Sequence, residues 1–303
     1  MGTAEEIKNT GKNSMLIGVC YTKDSPNGIA ACDAFYKGVQ AVGDSAIKIL
    51  APKGLHAVKN CDATVQVCDY NKHCGKDFRY YLNQYTKASG TRRIIIDTGF
   101  IKNKRSNDND LDRYMQVGYD GIKRNGKSYA KGSSLDRWSA LEFSLKDWRE
   151  DGEHILVLGQ HEIGISTQHM DIIGWWEDTI SYLSRVTDRP IKFRPHPNQK
   201  KFPKGKYEVT HDTTIEEDLE NCWCAIARTT NGSVDAIING IPVITPDTAC
   251  MAFGVSSHFL TEILEPRTPD RTRWLSELAY SQWTIREMQE GLPWKHLRRF
   301  LNE

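Results

Sequence analysis

The chain has 303 residues, more than one hydrophobic core usually holds, so two packed lobes are expected. Hydrophobic residues make up 39% and charged residues 26%, an ordinary globular composition that excludes a disordered or fibrous chain. The net charge of +1 excludes a global attraction to nucleic acid, so such a partner would have to meet a local basic patch.

The first 14 residues are polar, and no uncharged apolar run reaches the length that a bilayer requires. We therefore expect a cytoplasmic monomer with no membrane contact. The eight cysteines lack paired Cys-x-x-Cys spacing, which predicts reduced core residues. His73 beside Cys74 is too little for a zinc site, which takes about four ligands, so no metal is expected.

In the first half of the chain, short apolar runs bounded by turn residues alternate with longer helical patterns. The predicted strands are 15–21, 46–50, 63–68 and 93–97, and the predicted helices are 29–42 and 78–88. This alternation indicates a parallel sheet covered by helices. Polar sequence at 102–134 breaks the rhythm, and a helical segment is expected over 135–149.

The same rhythm restarts in the second half. Strands are predicted at 154–159, 190–194, 224–227 and 242–245, with helices at 171–186 and 233–239. Residues 271–300 are rich in Trp, Leu and Arg at helical spacing, and Trp274, Trp283 and Trp294 are expected to pack in the core. The fold prediction is α/β: two Rossmann-like lobes, 1–150 and 151–270, with a cleft between them and closing helices at 271–303 that cross back over both.

The most informative stretch begins with Thr-Thr-Asn-Gly-Ser at 229–233, where an apolar strand leads into a helix. Exposed N–H groups and the positive end of a helix dipole favour an anion at such a junction, phosphate above all. Asp235, in the first helical turn, is suited to accept hydrogen bonds from ribose hydroxyls. A purely structural alternative makes Thr230 or Ser233 a helix cap and Asp235 a residue that stabilises the dipole, and spacing alone does not separate the two.

A second stretch, Arg-Pro-His-Pro at 194–197, ends an apolar strand. It presents Arg194 and His196 as phosphate donors on a backbone that two prolines stiffen. A single Arg or His at a strand end is more often structural. Both stretches, however, fall at the carboxyl ends of strands, where open α/β sheets bind ligands.

Together with Asp-Ala-Ile-Ile-Asn-Gly-Ile-Pro at 235–242, these motifs resemble the donor half of GT-B glycosyltransferases. They are closest to the branch with an HP motif and a downstream serine motif, which includes capsule-type and sialyl-type transferases and the glycerophosphate polymerases. The resemblance implies metal-independent transfer from a nucleotide sugar, a UDP-sugar first, with no other cofactor, an acceptor lobe at 1–150 and a donor lobe at 151–270. Many members of that branch have Glu where this chain has Asp235.

The resemblance also implies the roles of the site residues. The histidine and the hydroxyl motif hold the donor phosphates, the acidic residue holds the ribose, and Gln160 follows the first strand of the donor lobe. The predicted donor-binding residues are Gln160, Arg194, His196, Thr229, Thr230, Asn231, Gly232, Ser233 and Asp235.

The tail at 273–294 resembles the ends of uncharacterised bacteriophage proteins, and phage GT-B enzymes include those that glycosylate hydroxymethylcytosine and related pyrimidines in DNA. This resemblance implies double-stranded DNA as acceptor, in a host cytoplasm, with Lys102, Lys104 and Arg105 on its phosphates. Three alternatives stay open: a transferase acting on a surface polysaccharide, a sugar-nucleotide epimerase, and a non-catalytic nucleotide-binding module.

Transfer to a hydroxyl needs a carboxylate within reach of the acceptor proton. Asp97, which closes the strand 93–97, fits best, although position alone favours a turn-forming role for it. Asp24, in the loop after the first strand, is the rival base, and Asp69 and Asp120 are further candidates.

Overall fold

The computed structural model describes residues 14–21, 26–50, 53–71, 77–101, 110–130, 135–141, 143–210 and 212–303. The strands of this part of the chain form two sheets. The first sheet contains β1 (Leu16–Tyr21), β2 (Ser45–Leu50), β3 (Ala63–Val67), β4 (Arg92–Thr98), β5 (Tyr114–Tyr119) and β11 (Gln282–Thr284). Their order is β11-β5-β4-β3-β1-β2, with β1 to β4 parallel and with β5 and β11 antiparallel to their neighbours.

The second sheet is parallel throughout and has the order β10-β9-β6-β7-β8. Its strands are β6 (His154–Leu158), β7 (Ile191–Arg194), β8 (Glu208–Val209), β9 (Cys222–Ile226) and β10 (Val243–Ile244). Counted from β8, the chain order is 3-2-1-4-5, the order of a Rossmann lobe. The connections reverse direction between β6 and β9, so a ligand crevice is expected beyond the carboxyl ends of these strands.

Helices cover the sheets and close the chain. They are α1 (Pro26–Ala41), α2 (Phe78–Ser89), α3 (Asp136–Ala140), α4 (Ile172–Val186), α5 (Ile215–Asp218), α6 (Gly232–Ile238), α7 (Thr272–Tyr280), α8 (Ile285–Gln289) and α9 (Leu292–Leu297). In α4 the Asp171 side chain caps the first turn by accepting from the Gly174 N–H, and Trp176, Ile180 and Leu183 lie on its buried face. That pattern is why this segment is helical and why it packs on the second sheet.

One buried cluster joins the two sheets. Phe100 and Tyr114, from the first sheet side, pack in the same cluster as Leu156 and Leu158 of β6 and Trp274 of α7. Beyond α7 the chain returns to the first sheet, where β11 pairs with β5. The three tryptophans expected in the core, Trp274, Trp283 and Trp294, are 2%, 5% and 1% exposed, which confirms that expectation.

The end of the chain is tied to the first lobe by Asp44. The carboxylate of Asp44 accepts from the indole N–H of Trp294 at 2.8 Å and from Nε of Arg298 at 2.6 Å. It also accepts from the backbone N–H of Met15 at 3.0 Å. These contacts hold α9 and the final turn against the start of β1.

Three local predictions differ from the structure. The break at 102–134 contains a strand, β5, and the closing segment contains β11, which pairs with it. Only Asp136–Ala140 of the predicted helix 135–149 is helical. The backbone after it bonds to the second lobe instead of to itself, since the N–H groups of Lys146 and Arg149 donate to the carbonyls of Ile238 and Gly240.

No helix among the described residues is long and apolar enough to cross a bilayer. The seven described cysteines carry free thiols, and six of them are buried. His73 and Cys74 lie outside the described residues.

Candidate active site

A cavity of about 690 Å³ lies where the carboxyl ends of both sheets face each other. The ends of β6, β7 and β9 line one side, and the end of β4 with the turn after β5 lines the other. Eight of the predicted site residues line it: Asp97, Gln160, Arg194, His196, Thr230, Asn231, Gly232 and Asp235. Two motifs 34 residues apart therefore meet at one crevice, at the switch point of the second sheet.

The Arg-Pro-His-Pro tip gives His196 a defined hydrogen-bonding state. Its Nδ1 accepts from the backbone N–H of Asn198 at 3.1 Å, so the neutral ring carries its proton on Nε2. Burial, with further contributions from His161 and Lys123, lowers the pKa of His196. At neutral pH this side chain is a neutral imidazole with an Nε2–H available as a donor.

Arg194 lines the cavity but is engaged within the protein. Its Nη1 forms an ion pair with the buried carboxylate of Asp218 and donates to the carbonyls of Thr213 and Thr214 at 3.1 and 3.2 Å. The sequence predicted a phosphate donor at this position. The structure instead shows this nitrogen of the guanidinium holding the end of β7 against the loop before α5.

The hydroxyl-rich turn is built in two layers. Thr230, Asn231 and Gly232 line the cavity, whereas Thr229 and Ser233 are buried behind them. Ser233 Oγ donates to the carbonyl of Thr230 at 2.7 Å, and the Ser233 N–H donates to the same carbonyl. The helix begins at Gly232, with Asn231 as an N-cap residue that makes no side-chain cap bond, so neither Thr230 nor Ser233 takes the capping role considered above.

Gln160, two residues beyond the end of β6, supports this turn. Its Nε2 donates to Thr229 Oγ1 at 2.6 Å and to Ser166 Oγ at 3.0 Å, while its Oε1 accepts from the Thr229 N–H at 3.1 Å. Both ends of the amide are thus used to orient the loop that follows β9. Gln160 therefore fixes the position of Thr230 rather than offering a free group to the cavity.

Asp97 occupies the opposite wall, at the end of β4. Its Oδ1 accepts from the backbone N–H of Thr98 at 2.7 Å. Burial raises the pKa of this carboxyl, and the N–H of Thr98 and the nearby Lys123 oppose that effect without cancelling it. Two residues further on, the Gly99 carbonyl accepts from Asn231 Nδ2 at 3.0 Å, so the carboxylate and the donor-side turn are held next to each other.

The lining also contains residues that the sequence did not single out, and four of them carry hydrogen-bonding side chains: Gln116, Lys123, His161 and Ser166. Lys123 lies between Gly121 and Gly126, in the turn that follows the buried strand β5. A strand that ends in a glycine-rich turn was the signal used elsewhere in the chain, and it would have identified this segment had β5 been predicted. His161 directly follows Gln160 and lines the same cavity.

The further carboxylates are used elsewhere. Asp69 pairs with Arg93 at 2.8 Å, Asp120 pairs with Arg92 at 3.1 Å, and neither lines the cavity. The remaining predicted residues lie outside the described part of the chain: Asp24, Lys102, Lys104 and Arg105. Within the described part, no three His, Cys, Asp or Glu side chains come together as metal ligands.

No family model matches the chain, and no curated protein matches its sequence. Among solved structures, it is similar to KpsC of Thermosulfurimonas dismutans. A structure titled beta Kdo 2,4 transferase has a TM-score of 0.55 and 12% identity, covering 88% of this chain and 99% of that one. A structure titled beta Kdo 2,7 transferase has a TM-score of 0.52 and 12% identity, covering 92% and 98%. At this identity the likeness shows the fold, and it confirms two Rossmann-like lobes in the GT-B arrangement.

Proposed function

We propose that this chain is a glycosyltransferase that moves a sugar from a nucleotide sugar, a UDP-sugar first, to a hydroxyl acceptor without a metal ion. The observation that carries the proposal is the convergence of the His196 tip, the Thr230–Gly232 turn and the Asp97 carboxylate on one cavity. A volume of about 690 Å³ is within the range that small-molecule and cofactor sites occupy.

The donor phosphate lies between the His196 imidazole and the turn at 230–232. The Nε2–H of His196 donates to a phosphate oxygen, because Nδ1 already accepts from Asn198. The Thr230 hydroxyl and the Asn231 amide supply further polar contacts from the second wall. Asp235 lines the same cavity one helical turn on and accepts from the ribose hydroxyls.

The reaction then needs a base for the acceptor hydroxyl. The acceptor oxygen attacks the anomeric carbon, the bond from that carbon to the phosphate oxygen breaks, and the nucleotide leaves with the electron pair. The acceptor proton passes to Asp97. Burial raises the pKa of this carboxyl, which makes it a better proton acceptor than an exposed aspartate.

The acceptor hydroxyl belongs to one of two classes, a polysaccharide or DNA. Both fold matches with a TM-score above 0.5 carry titles of sugar transferases, and neither title names a nucleic acid. These titles favour a sugar hydroxyl as the acceptor, and a surface polysaccharide is the acceptor of that class that we propose. A hydroxymethylpyrimidine in phage DNA rests on the sequence resemblance alone, since the basic residues assigned to it, Lys102, Lys104 and Arg105, lie outside the described residues.

The donor half of the proposal is tested by calorimetric titration of UDP-sugars, UDP, CMP and GDP into the full chain. His196→Ala should weaken binding of the tightest ligand about tenfold, the loss expected for one hydrogen bond to a charged group. His169→Ala, which removes an exposed histidine, is the matched control and should bind as the wild type does. Unchanged affinity in the His196 variant would remove the donor site as assigned.

The catalytic half is tested by turnover. Asp97→Asn should lower kcat by about 10²- to 10⁴-fold, the range for losing a general base, with little change in donor affinity. Asp120→Asn makes the same chemical change at a carboxylate outside the cavity and should leave kcat unaltered. Assays with oligosaccharides and with hydroxymethylcytosine DNA, read by mass spectrometry, assign the acceptor. Donor consumption without any acceptor would indicate an epimerase, and binding without turnover a nucleotide-binding module.

A further inference from the structure

Lys123 crosses from the first lobe to the second. It lies in the turn Lys123–Asn125 that follows β5, and its side chain lines the cavity. Its Nζ donates to the Thr229 carbonyl and, at 3.3 Å, to Ser166 Oγ, both in the second lobe. The ammonium is thereby placed directly beside the turn at 230–232.

The backbone holds this side chain in place at a cost. Lys123 has a φ of 54°, a left-handed conformation that a non-glycine residue rarely adopts. Its N–H donates to Gln116 Oε1 at 2.9 Å, and Gln116 Nε2 donates to the Thr98 carbonyl at 2.6 Å. One buried amide therefore fixes Lys123 relative to Thr98, the residue next to Asp97.

The charge of Lys123 is paired only with neutral oxygens in these contacts. An ammonium has three N–H donors, and two of them are engaged by a carbonyl and a hydroxyl. Arg194, the other cation of the lining, is by contrast neutralised by Asp218. Within the part of the chain that the structure describes, no carboxylate bonds directly to this ammonium. Burying a cation in that way costs free energy, and a phosphate that entered the cavity would offset the cost.

We propose that Lys123 binds a phosphate of the nucleotide donor and stabilises the charge that develops as the nucleotide leaves, so that the acceptor lobe supplies the cation of the donor site. This inference rests on the function proposed above and adds a residue that neither motif contains. Burial lowers the pKa of Lys123, with Cys250, Asp97 and Asp247 opposing that effect. An anion at the site would favour the charged form in the same way as these neighbours do.

The test compares binding of UDP and of uridine to Lys123→Met. Methionine keeps the length and apolar stem of lysine and removes the charge. UDP affinity should fall about 10- to 100-fold, the range for one charge-assisted hydrogen bond, while uridine affinity stays the same. Lys127→Met makes the same change at an exposed lysine four residues away and should bind both ligands as the wild type does. If the methionine variant does not fold, Lys123→Gln takes its place, because glutamine can still donate to the Thr229 carbonyl. It should show the same selective loss of UDP affinity.

Three results would overturn the inference, and they differ from one another. UDP binding at wild-type strength in Lys123→Met, with binding lost in His196→Ala, would remove Lys123 from the site and leave the proposed function standing. Equal losses of affinity for UDP and for uridine would show that the substitution distorts the whole cleft and that Lys123 does not contact the phosphate. If the wild type binds none of UDP, CMP and GDP, the donor site itself is wrong and the role of Lys123 falls with it.

Discussion

Gly159, the residue after β6, lies too close to the Arg-Pro-His-Pro tip to carry a side chain. Its N–H donates to the Arg194 carbonyl at 2.7 Å. A Cβ at this position would lie 2.7 Å from the same carbonyl oxygen, 3.0 Å from the His196 nitrogen and 2.6 Å from Gln199 Oε1. The Gln199 side chain can move aside, but the other two atoms belong to the backbone of the tip. Gly159→Ala must therefore push the end of β7 away from β6.

The size of the effect follows from these distances. Overpacking of this kind costs about 1–3 kcal/mol of stability, measured as the free energy of unfolding in urea. Because the strain falls on the backbone of His196, UDP affinity should drop at least about tenfold, as small displacements of binding groups do in other sites. Gly232→Ala is the steric control. Its Cβ would meet Leu158 at 3.4 Å and Ile215 at 3.8 Å, ordinary contacts, so stability should be unchanged or higher. Wild-type stability and affinity in Gly159→Ala would refute the argument.

Three further outcomes are expected. Asp44→Ala should lower the free energy of unfolding by about 2–4 kcal/mol, because the buried Trp294 N–H loses its acceptor. In a double-mutant cycle with Trp294→Phe, the two losses of stability should be less than additive. Arg194→Ala should lower the free energy of unfolding, measured in urea, by about 3 kcal/mol, because the buried Asp218, 4% exposed, is left without its cationic partner. A variant that loses UDP affinity but keeps wild-type stability would contradict this. The lowered pKa of His196 means that the unfolded chain binds the extra proton first, so stability should fall as pH drops below about 6.5, and less so in His196→Gln.

The predictable part of the fold is the part that repeats a local pattern. Each buried parallel strand is a short apolar run, and each is followed by turn residues, so β1 to β4, β6, β7 and β9 were expected close to where they lie. β5 was not predicted from the sequence, because it contains Gln116 and Gly118 and lies in a polar stretch of the chain. Its burial depends on β11, which comes about 160 residues later and pairs with it. A contact of that separation leaves no trace in a local window.

The residues of the candidate site likewise fall into those that a local pattern predicts and those that depend on distant contacts. His196 and the turn at 230–232 could be predicted because strand ends of a Rossmann lobe converge by topology. Lys123 and Ser166 could not, since their meeting depends on how two lobes pack. Arg194 shows the opposite limit: its place at the cavity was predictable, but its ion pair with Asp218 comes from a loop whose path the sequence does not reveal.

The division of labour between the lobes bears on how a ligand enters. The turn Thr230–Gly232 belongs to the second lobe, whereas Asp97 and Lys123 belong to the first, so the proposed site is complete only where the two lobes meet. Among the hydrogen bonds that cross between the lobes, Lys123, Asn231 and Asn71 donate to the backbone carbonyls of residues 229, 99 and 163, and Lys123 also donates to Ser166 Oγ. The two amide bonds are worth about 1 kcal/mol net each, because water can replace them, and the bond from the Lys123 ammonium is worth about 1.5–3 kcal/mol. The shared core adjoins these bonds, since it includes Phe100, next to the Gly99 carbonyl, and Leu158, which lines the cavity, so the two lobes also meet through buried apolar contacts beside the site.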